Sequence, residues 1–281
     1  MSIEVLRYAA FTSDPEGGNP AGVVLDASGL DDLEMQRIAA EVDYAETAFV
    51  IGSVDGAHAI RYFSPIAEVP FCGHATIATA IALAEREGPG EIRFATPVGE
   101  VPIRTTTDAE GRLRAAFTSV EPEVSEFAPG VLGELLDLLG LTLGHLDQRY
   151  PPRLAFAGNR HPILVLDRAE DFDAFTFDPV AVRLLMDRQG WAGTVTVLHG
   201  LSAESFEARN LFPVGRITED PATGSAAASL GGYLRALNLV VPPATVSVRQ
   251  GRHVGRPSSL EISIAATGGI TVSGGAVPIA G

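Results

Sequence analysis

The pattern of apolar and polar residues along this chain predicts strands that alternate with helices. Short runs rich in β-branched and aromatic residues, such as ETAFVIG (46–52) and TVTVLHG (194–200), are typical of strands. The segments LDDLEMQRIAAEV (30–42) and FDPVAVRLLMDRQG (177–190) carry apolar residues at helical spacing, and the second ends at a glycine. The pattern therefore indicates a mixed chain with both α and β elements.

The predicted elements occur twice, in the same order. GNPAGVVLD (18–26) resembles GNRHPILVLD (158–167), with one residue inserted. RYFSP (61–65) corresponds to RNLFP (209–213) at a shift of 148 residues, and the two strand runs above are related by the same shift of 148. Chance alternation of strands and helices does not predict a repeated offset. We interpret the chain as an internal duplication.

Each half continues into a helix of small residues: CGHATIATAIALAERE (72–87) in the first and TGSAAASLGGYLRALN (223–238) in the second. A helix without a polar face must be buried on all sides, and small side chains let strands approach it closely. The sequence thus predicts an α+β fold of two pseudo-symmetric domains, each a curled mixed β-sheet around a central α-helix. We place the domains at residues 1–120 and 121–281, with a last strand that is compatible with either half.

Composition restricts the class of protein. The chain has 281 residues, 46% of them hydrophobic, and 20 Lys and Arg against 35 Asp and Glu give a net charge of −15. This acidity argues against nucleic-acid partners and against an anionic membrane surface. The sequence has no secretory signal pattern and no apolar run of about 18 residues, so we predict no membrane association and a cytoplasmic location. Its histidines show no metal-ligand spacing, and we expect no metal and no cofactor.

Two residues of the first half are candidates for acid–base chemistry. Glu46 lies in the apolar strand YAETAFV, where a glutamate normally faces solvent, but the repeat has Thr194 at this position. One half therefore carries an acid/base that the other lacks. His74 lies in the first turn of the first small-residue helix, where the helix dipole favours a neutral imidazole. For His74 the alternative is a packed or capping histidine without chemistry.

The starts of the two small-residue helices are candidates for ligand binding. Asp220 and Ser225 flank the second start, where Asp, Pro and Thr are also ordinary helix-start residues. Main-chain amides at Gly73, His74, Gly224 and Ser225 have no partner within their helices. If the two starts face each other, these amides form an anion pocket that can hold a small carboxylate in an acidic protein.

Four motifs in order resemble the phenazine-biosynthesis isomerase (PhzF-like) family of the diaminopimelate-epimerase-like superfamily. They are GNPAGVVLD, YAETAFV, RYFSPIAEVPFCGHATIATA and EDPATGSAAASLGGYL, and the resemblance runs from Gly18 to Tyr233. It implies two similar domains, each around a central helix, and a homodimer. It also implies a cofactor-independent isomerase of a small carboxylate, similar to trans-2,3-dihydro-3-hydroxyanthranilate isomerase.

The resemblance further implies roles for individual residues. Glu46 is the proton shuttle, His74 and Asp220 complete the catalytic group, and Ser225 contacts the substrate carboxylate. The binding residues are completed by Asn19, Gly73 and Gly224.

Relatives of another kind, the two-thiol epimerases and racemases, use one cysteine from each half. This chain has the single cysteine Cys72, and Thr223 stands at the partner position, so that mechanism is excluded. We expect Cys72 to be a small buried residue. A one-base epimerase or lyase on the same scaffold, and a non-catalytic protein that binds small carboxylates, stay open as alternatives.

Overall fold

The computed structural model describes residues 3–213 and 217–280, and within these ranges the chain forms six α-helices and seventeen strands. It divides into two compact units. Unit 1 comprises Met1–Thr118 with Ser273–Gly281, and unit 2 comprises Ser119–Val272. In the described part of the chain, no helix has both the length and the hydrophobicity of a membrane span.

Unit 1 is a closed ring of strands with one helix inside it and one outside. Its strands are β1 (Leu6–Ala10), β2 (Asn19–Val24), β3 (Glu46–Val54), β4 (Ala57–Phe63), β5 (Glu68–Val69), β6 (Glu91–Thr96), β7 (Gly99–Thr107), β8 (Leu113–Thr118) and β17 (Thr271–Pro278). Its helices are α1 (Asp32–Val42) and α2 (Gly73–Glu87). The chain of neighbours runs β1-β2-β3-β4-β6-β7-β8. Strand β17 pairs with both β8 and β1 and closes the ring.

Unit 2 repeats the same sequence of pairings. Its strands are β9 (Glu123–Ser125), β10 (Arg153–Phe156), β11 (Arg160–Leu166), β12 (Val195–Ser202), β13 (Ser205–Leu211), β14 (Glu219–Asp220), β15 (Ala244–Gln250) and β16 (Ser258–Ile264). Its helices are α3 (Val131–Leu138), α4 (Ala169–Ala174), α5 (Pro179–Gln189) and α6 (Gly224–Ala236).

The pairing directions show the duplication in the backbone. In unit 1 the series β1-β2-β3-β4-β6-β7 is antiparallel, parallel, antiparallel, parallel and antiparallel. In unit 2 the series β10-β11-β12-β13-β15-β16 has the same directions in the same order. The predicted α+β fold, with two related sheets each around a helix, is confirmed.

Helices α2 and α6 form the centres of their units. Eleven consecutive residues of α2, from His74 to Ala84, are buried, as are ten of the thirteen residues of α6. Small residues allow this packing: a Cβ at Gly231 of α6 would lie 2.6 and 2.8 Å from isoleucine methyl groups. Helices α1 and α5 differ, because each begins at an aspartate whose side chain accepts amide hydrogen bonds (Asp31 and Asp178).

Candidate active site

Unit 1 brings together three potentially reactive side chains where β3 begins beside the start of α2. Glu46 is the first residue of β3, Cys72 precedes α2, and His74 is the second residue of α2. The Oε2 atom of Glu46 lies 3.5 Å from Nε2 of His74. The Cys72 thiol donates to the same Oε2 atom at 3.4 Å. The Glu46 side chain is 20% exposed and the His74 side chain 8%, and Cys72 is buried. The carboxylate is therefore the most accessible group of the three.

The imidazole of His74 is held in place and favoured in its neutral form. Its Nδ1 atom lies 3.2 Å from the side-chain amide of Asn19, which is buried in β2. Burial lowers the pKa of His74, and the Glu46 carboxylate and a hydrogen bond to the Pro20 carbonyl oppose this only in part. A neutral imidazole beside a carboxylate can exchange a hydrogen bond with it without forming a fixed ion pair.

Cys72 is buried, as we expected for a small residue, and it also contacts the candidate acid/base. Its sulfur lies 3.4 Å from Nδ1 and 3.7 Å from Nε2 of His74. Donor atoms of Glu46, Cys72 and His74 lie within 4.8 Å of one another, and this set of residue types is one that zinc accepts. Oε2 of Glu46, the sulfur of Cys72 and Nε2 of His74 are 3.4–3.7 Å apart, and the absence of a metal stays a prediction.

Unit 2 places Asp220 in a network that precedes helix α6. The Thr223 hydroxyl donates to Oδ2 of Asp220 at 2.5 Å. The side chain of Gln250 donates to the main-chain oxygen of Asp220 at 2.6 Å and accepts from the Thr223 amide at 3.2 Å. The backbone that carries Asp220 into α6 is therefore fixed from two sides.

Ser225, the second residue of α6, contacts a histidine that sequence reasoning did not select. Its hydroxyl lies 3.0 Å from Nε2 of His161, which is fully buried at the start of β11. His161 in turn contacts Thr194, the residue that stands at the position of Glu46 in the repeat. The repeat could have indicated this contact. In unit 1, Ala21 of β2 lies opposite Glu46 of β3, and the equivalent register of β11 on β12 places His161 opposite Thr194.

The two central helices begin without a side-chain cap. Neither Cys72 at α2 nor Thr223 at α6 makes a side-chain hydrogen bond to the first turn of its helix. Gly73 and Gly224 are the first residues of these helices. The contrast with the capped helices α1 and α5 marks the two central starts as places where main-chain amides can bind an anion.

The two related units, each a mixed sheet around a buried central helix, define an α+β chain with an internal duplication. Residues 8–281 match the PhzC-PhzF family model, described as "Phenazine biosynthesis-like protein". The chain belongs to this family.

Individual relatives cover almost the whole chain. "Uncharacterized isomerase YddE" of Escherichia coli O157:H7 is 31% identical over 288 residues, which cover 99% of this chain and 96% of the relative. "Trans-2,3-dihydro-3-hydroxyanthranilate isomerase" of Pseudomonas fluorescens is 31% identical over 250 residues, covering 89% and 86%. The crystal structure of a Bacillus anthracis phenazine biosynthesis protein of the PhzF family superposes with a TM-score of 0.86 at 26% identity, covering 100% of this chain and 98% of that one.

Proposed function

We propose that this chain is a cofactor-independent isomerase in which Glu46 moves a proton between two carbons of a small carboxylate. Family membership and the isomerase names of its relatives support the reaction class. The observation that carries the assignment to Glu46 is its geometry. It is a partly exposed carboxylate beside a buried, neutral histidine and a thiol that donates to it.

The contacts of Glu46 suggest which oxygen takes the proton. Cys72 and His74 both contact Oε2, and the residues that the structure describes give Oε1 no hydrogen bond. We assign proton removal to Oε1, while Oε2 stays anchored through the transfer. A positioned carboxylate can then return the proton to another carbon on the same face of the substrate.

Binding groups come from the helix starts. We propose that, within unit 1, the amide of Gly73 can hold an anionic oxygen, and that, within unit 2, the amide of Gly224 and the hydroxyl of Ser225 can do the same. Asp220 would accept a hydrogen bond from a polar substituent of the substrate, and Asn19 would keep the His74 ring in place. Because the Asn19 amide donates to Nδ1, a neutral His74 carries its proton on Nε2 and can donate it to Oε2 of Glu46 throughout the transfer.

The decisive experiment replaces Glu46 by Gln, which keeps the shape of the side chain and removes its basicity. With trans-2,3-dihydro-3-hydroxyanthranilate in deuterated water, the rate of C–H exchange should fall by ~10²–10⁴-fold. The affinity for the stable analogue 3-hydroxyanthranilate should be retained. Glu16→Gln, at an exposed loop position, is the matched control. Near-normal exchange in Glu46→Gln would refute the assignment.

The position of deuterium in the product separates the reaction classes. Deuterium on a new carbon indicates an isomerase, whereas deuterium on the original carbon with inverted configuration indicates a one-base epimerase. Loss of a substituent indicates a lyase. No exchange together with tight binding of the analogue would indicate a carboxylate-binding protein.

A further inference from the structure

The contact between His161 and Ser225 belongs to a buried chain of hydrogen bonds in unit 2. Nε2 of His161 lies 3.0 Å from the Ser225 hydroxyl, and the main-chain amide of Thr194 donates to Nδ1 at 3.0 Å. The Thr194 hydroxyl donates to Oδ1 of Asn210 at 2.6 Å, and Asn210 accepts a second hydroxyl from Thr196 at 2.7 Å. His161 is 0% exposed, so bulk solvent does not reach its ring.

The direction of these hydrogen bonds follows from which groups must be satisfied. Nδ1 of His161 also lies 3.1 Å from the Thr194 carbonyl, but one nitrogen cannot both accept from the amide and donate to the carbonyl. A proton on Nδ1 would leave the buried amide of Thr194 without an acceptor. Buried amides without a partner are rarer than carbonyls in the same state, because the carbonyl has two lone pairs. The proton of the neutral ring therefore belongs on Nε2.

A proton on Nε2 fixes the role of Ser225. The His161 ring donates to Oγ of Ser225, so the hydroxyl hydrogen of the serine must point elsewhere. Within residues 3–213 and 217–280, Oγ of Ser225 has no other hydrogen-bonding partner. Burial lowers the pKa of His161 to about 4, so this polarity is constant around neutral pH.

We propose that His161 is a positioning residue that holds Ser225 as a hydrogen-bond donor to a substrate carboxylate oxygen. This inference rests on the proposed function for its ligand, whereas the direction of the hydrogen bond between His161 and Ser225 does not. The arrangement looks like a serine–histidine pair of a hydrolase, but the direction of the hydrogen bond is reversed: the histidine donates to the serine. A ring that already donates through Nε2 cannot remove the serine proton, so Ser225 is a binding group and not a nucleophile.

The tautomer can be read directly from the wild-type protein. Long-range ¹H–¹⁵N correlation spectra of the histidine rings, with His161 assigned by its loss in His161→Gln, should show a protonated Nε2 and an unprotonated Nδ1. The opposite tautomer would overturn the proposal. This measurement needs no substrate and no variant activity.

Binding of 3-hydroxyanthranilate tests the consequence. Ser225→Ala should weaken the affinity on the order of 10- to 100-fold, as expected for a hydrogen bond to a charged group. His161→Leu should cost a similar factor, and the double variant should be no weaker than Ser225→Ala alone. His161→Gln keeps an N–H donor near the Nε2 position and should retain most of the affinity. The amide of 3-hydroxyanthranilate, which lacks the carboxylate, should show a much smaller effect of Ser225→Ala.

The outcomes separate this inference from the proton-transfer assignment. Unchanged affinity in Ser225→Ala, additive losses in the double variant, or failure of the wild-type protein to bind the probe would each contradict the role of His161. Near-normal proton exchange in Glu46→Gln would contradict the proposed mechanism and leave the binding results standing. Far-UV circular dichroism and the fluorescence of the buried Trp191 show whether His161→Leu is folded. If His161→Leu is not folded, the tautomer of the wild-type protein and the affinity of Ser225→Ala still test the role of His161.

Discussion

Replacing Arg209 by Met should destabilise the protein much more than replacing Arg61 by Met, although the two arginines occupy the same place in the repeat. In β13, Arg209 donates to both carboxylate oxygens of Glu219, at 3.2 and 2.5 Å. Its Nη1 atom also donates to the main-chain oxygens of Phe172 and Phe175, at 3.1 and 3.0 Å. The side chains of Arg209 and Glu219 are only 8% and 10% exposed.

Arg61 in β4 makes the same bidentate contact with a glutamate, but at a more solvent-exposed position. It donates to both oxygens of Glu68 at 2.7 Å and to Asp32 at 2.6 Å. The exposed fractions are 22% for Arg61, 37% for Glu68 and 75% for Asp32. Water can therefore solvate Glu68 and Asp32 when the guanidinium is removed.

The difference in burial sets the expected magnitudes. Removing one partner of a buried pair costs ~3–5 kcal/mol, because Glu219 would keep its charge without a counter-charge. Exposed ion pairs contribute about 1 kcal/mol or less. The loss for Arg209→Met should thus exceed that for Arg61→Met by at least about 2 kcal/mol. The double variant Arg209→Met/Glu219→Leu should recover part of the loss, because the uncompensated charge is removed with its partner.

The assay is urea unfolding followed by two signals. Trp191 is the only tryptophan of the chain and is 5% exposed in unit 2, so its fluorescence reports on the unit that contains Arg209. Far-UV circular dichroism follows the helices and strands of the whole chain and reads out Arg61→Met. Equal losses of unfolding free energy in the two variants would refute the argument from burial.

Two further predictions concern stability. Burial lowers the pKa of His161 from 6.5 to about 4, so an unfolded chain takes up this proton before the folded one does. The contribution of His161 to the free energy of unfolding should be complete above pH ~6.5. It should fall by up to about 3 kcal/mol as the pH drops to ~4. In urea titrations across this range, His161→Gln should flatten part of the dependence, and the part that remains includes the contribution of His74, whose pKa burial also lowers. Gly231→Ala in α6 should destabilise by ~1–3 kcal/mol, because its new methyl group would meet others at 2.6 and 2.8 Å. Gly133→Ala in α3, where nothing lies within 4 Å, should stabilise by ~0.5–1 kcal/mol in the same titration.

The order of the helices and strands was predictable because each is indicated by the residues of its own segment. The strands of ETAFVIG and TVTVLHG and the helices α1, α2, α5 and α6 follow from periodicity, capping residues and small-residue composition. The neighbours of the last strand did not follow. Alternation in ITVSGGAV predicts a strand and its two faces, but the pairing of β17 with β1 and β8 depends on backbone edges far away in sequence.

The candidate site was predictable only in part, for a similar reason. Glu46 and His74 stand in different motifs, and the resemblance assigned both to one catalytic group; in the structure they are adjacent in space. The contact of Cys72 with Glu46 was missed, because a lone buried cysteine usually has only a packing role. His161 was missed because its partners Thr194 and Ser225 lie 33 and 64 residues away. Only the register of β11 on β12 brings them together.

The duplication explains why the proposed chemistry uses one base. Both units keep the same backbone devices: an arginine that holds a two-residue strand, β5 or β14, and a central helix that begins at glycine without a side-chain cap. The side chains at equivalent places have diverged. Glu46 corresponds to Thr194, and His74, the second residue of α2, corresponds to Ser225 in α6.

Threonine and serine hydroxyls do not ionise near neutral pH and cannot serve as the second acid/base of a stereoinversion. Asp220, a carboxylate of unit 2, already accepts the Thr223 hydroxyl at 2.5 Å, a contact suited to a hydrogen-bonding role. With Glu46 as the single proton carrier, removal and return must occur on the same face of the substrate. We therefore expect the deuterium that enters the product from solvent to lie on the face from which the substrate proton left. Deuterium on the opposite face would require a second acid/base and would contradict this reading of the duplication.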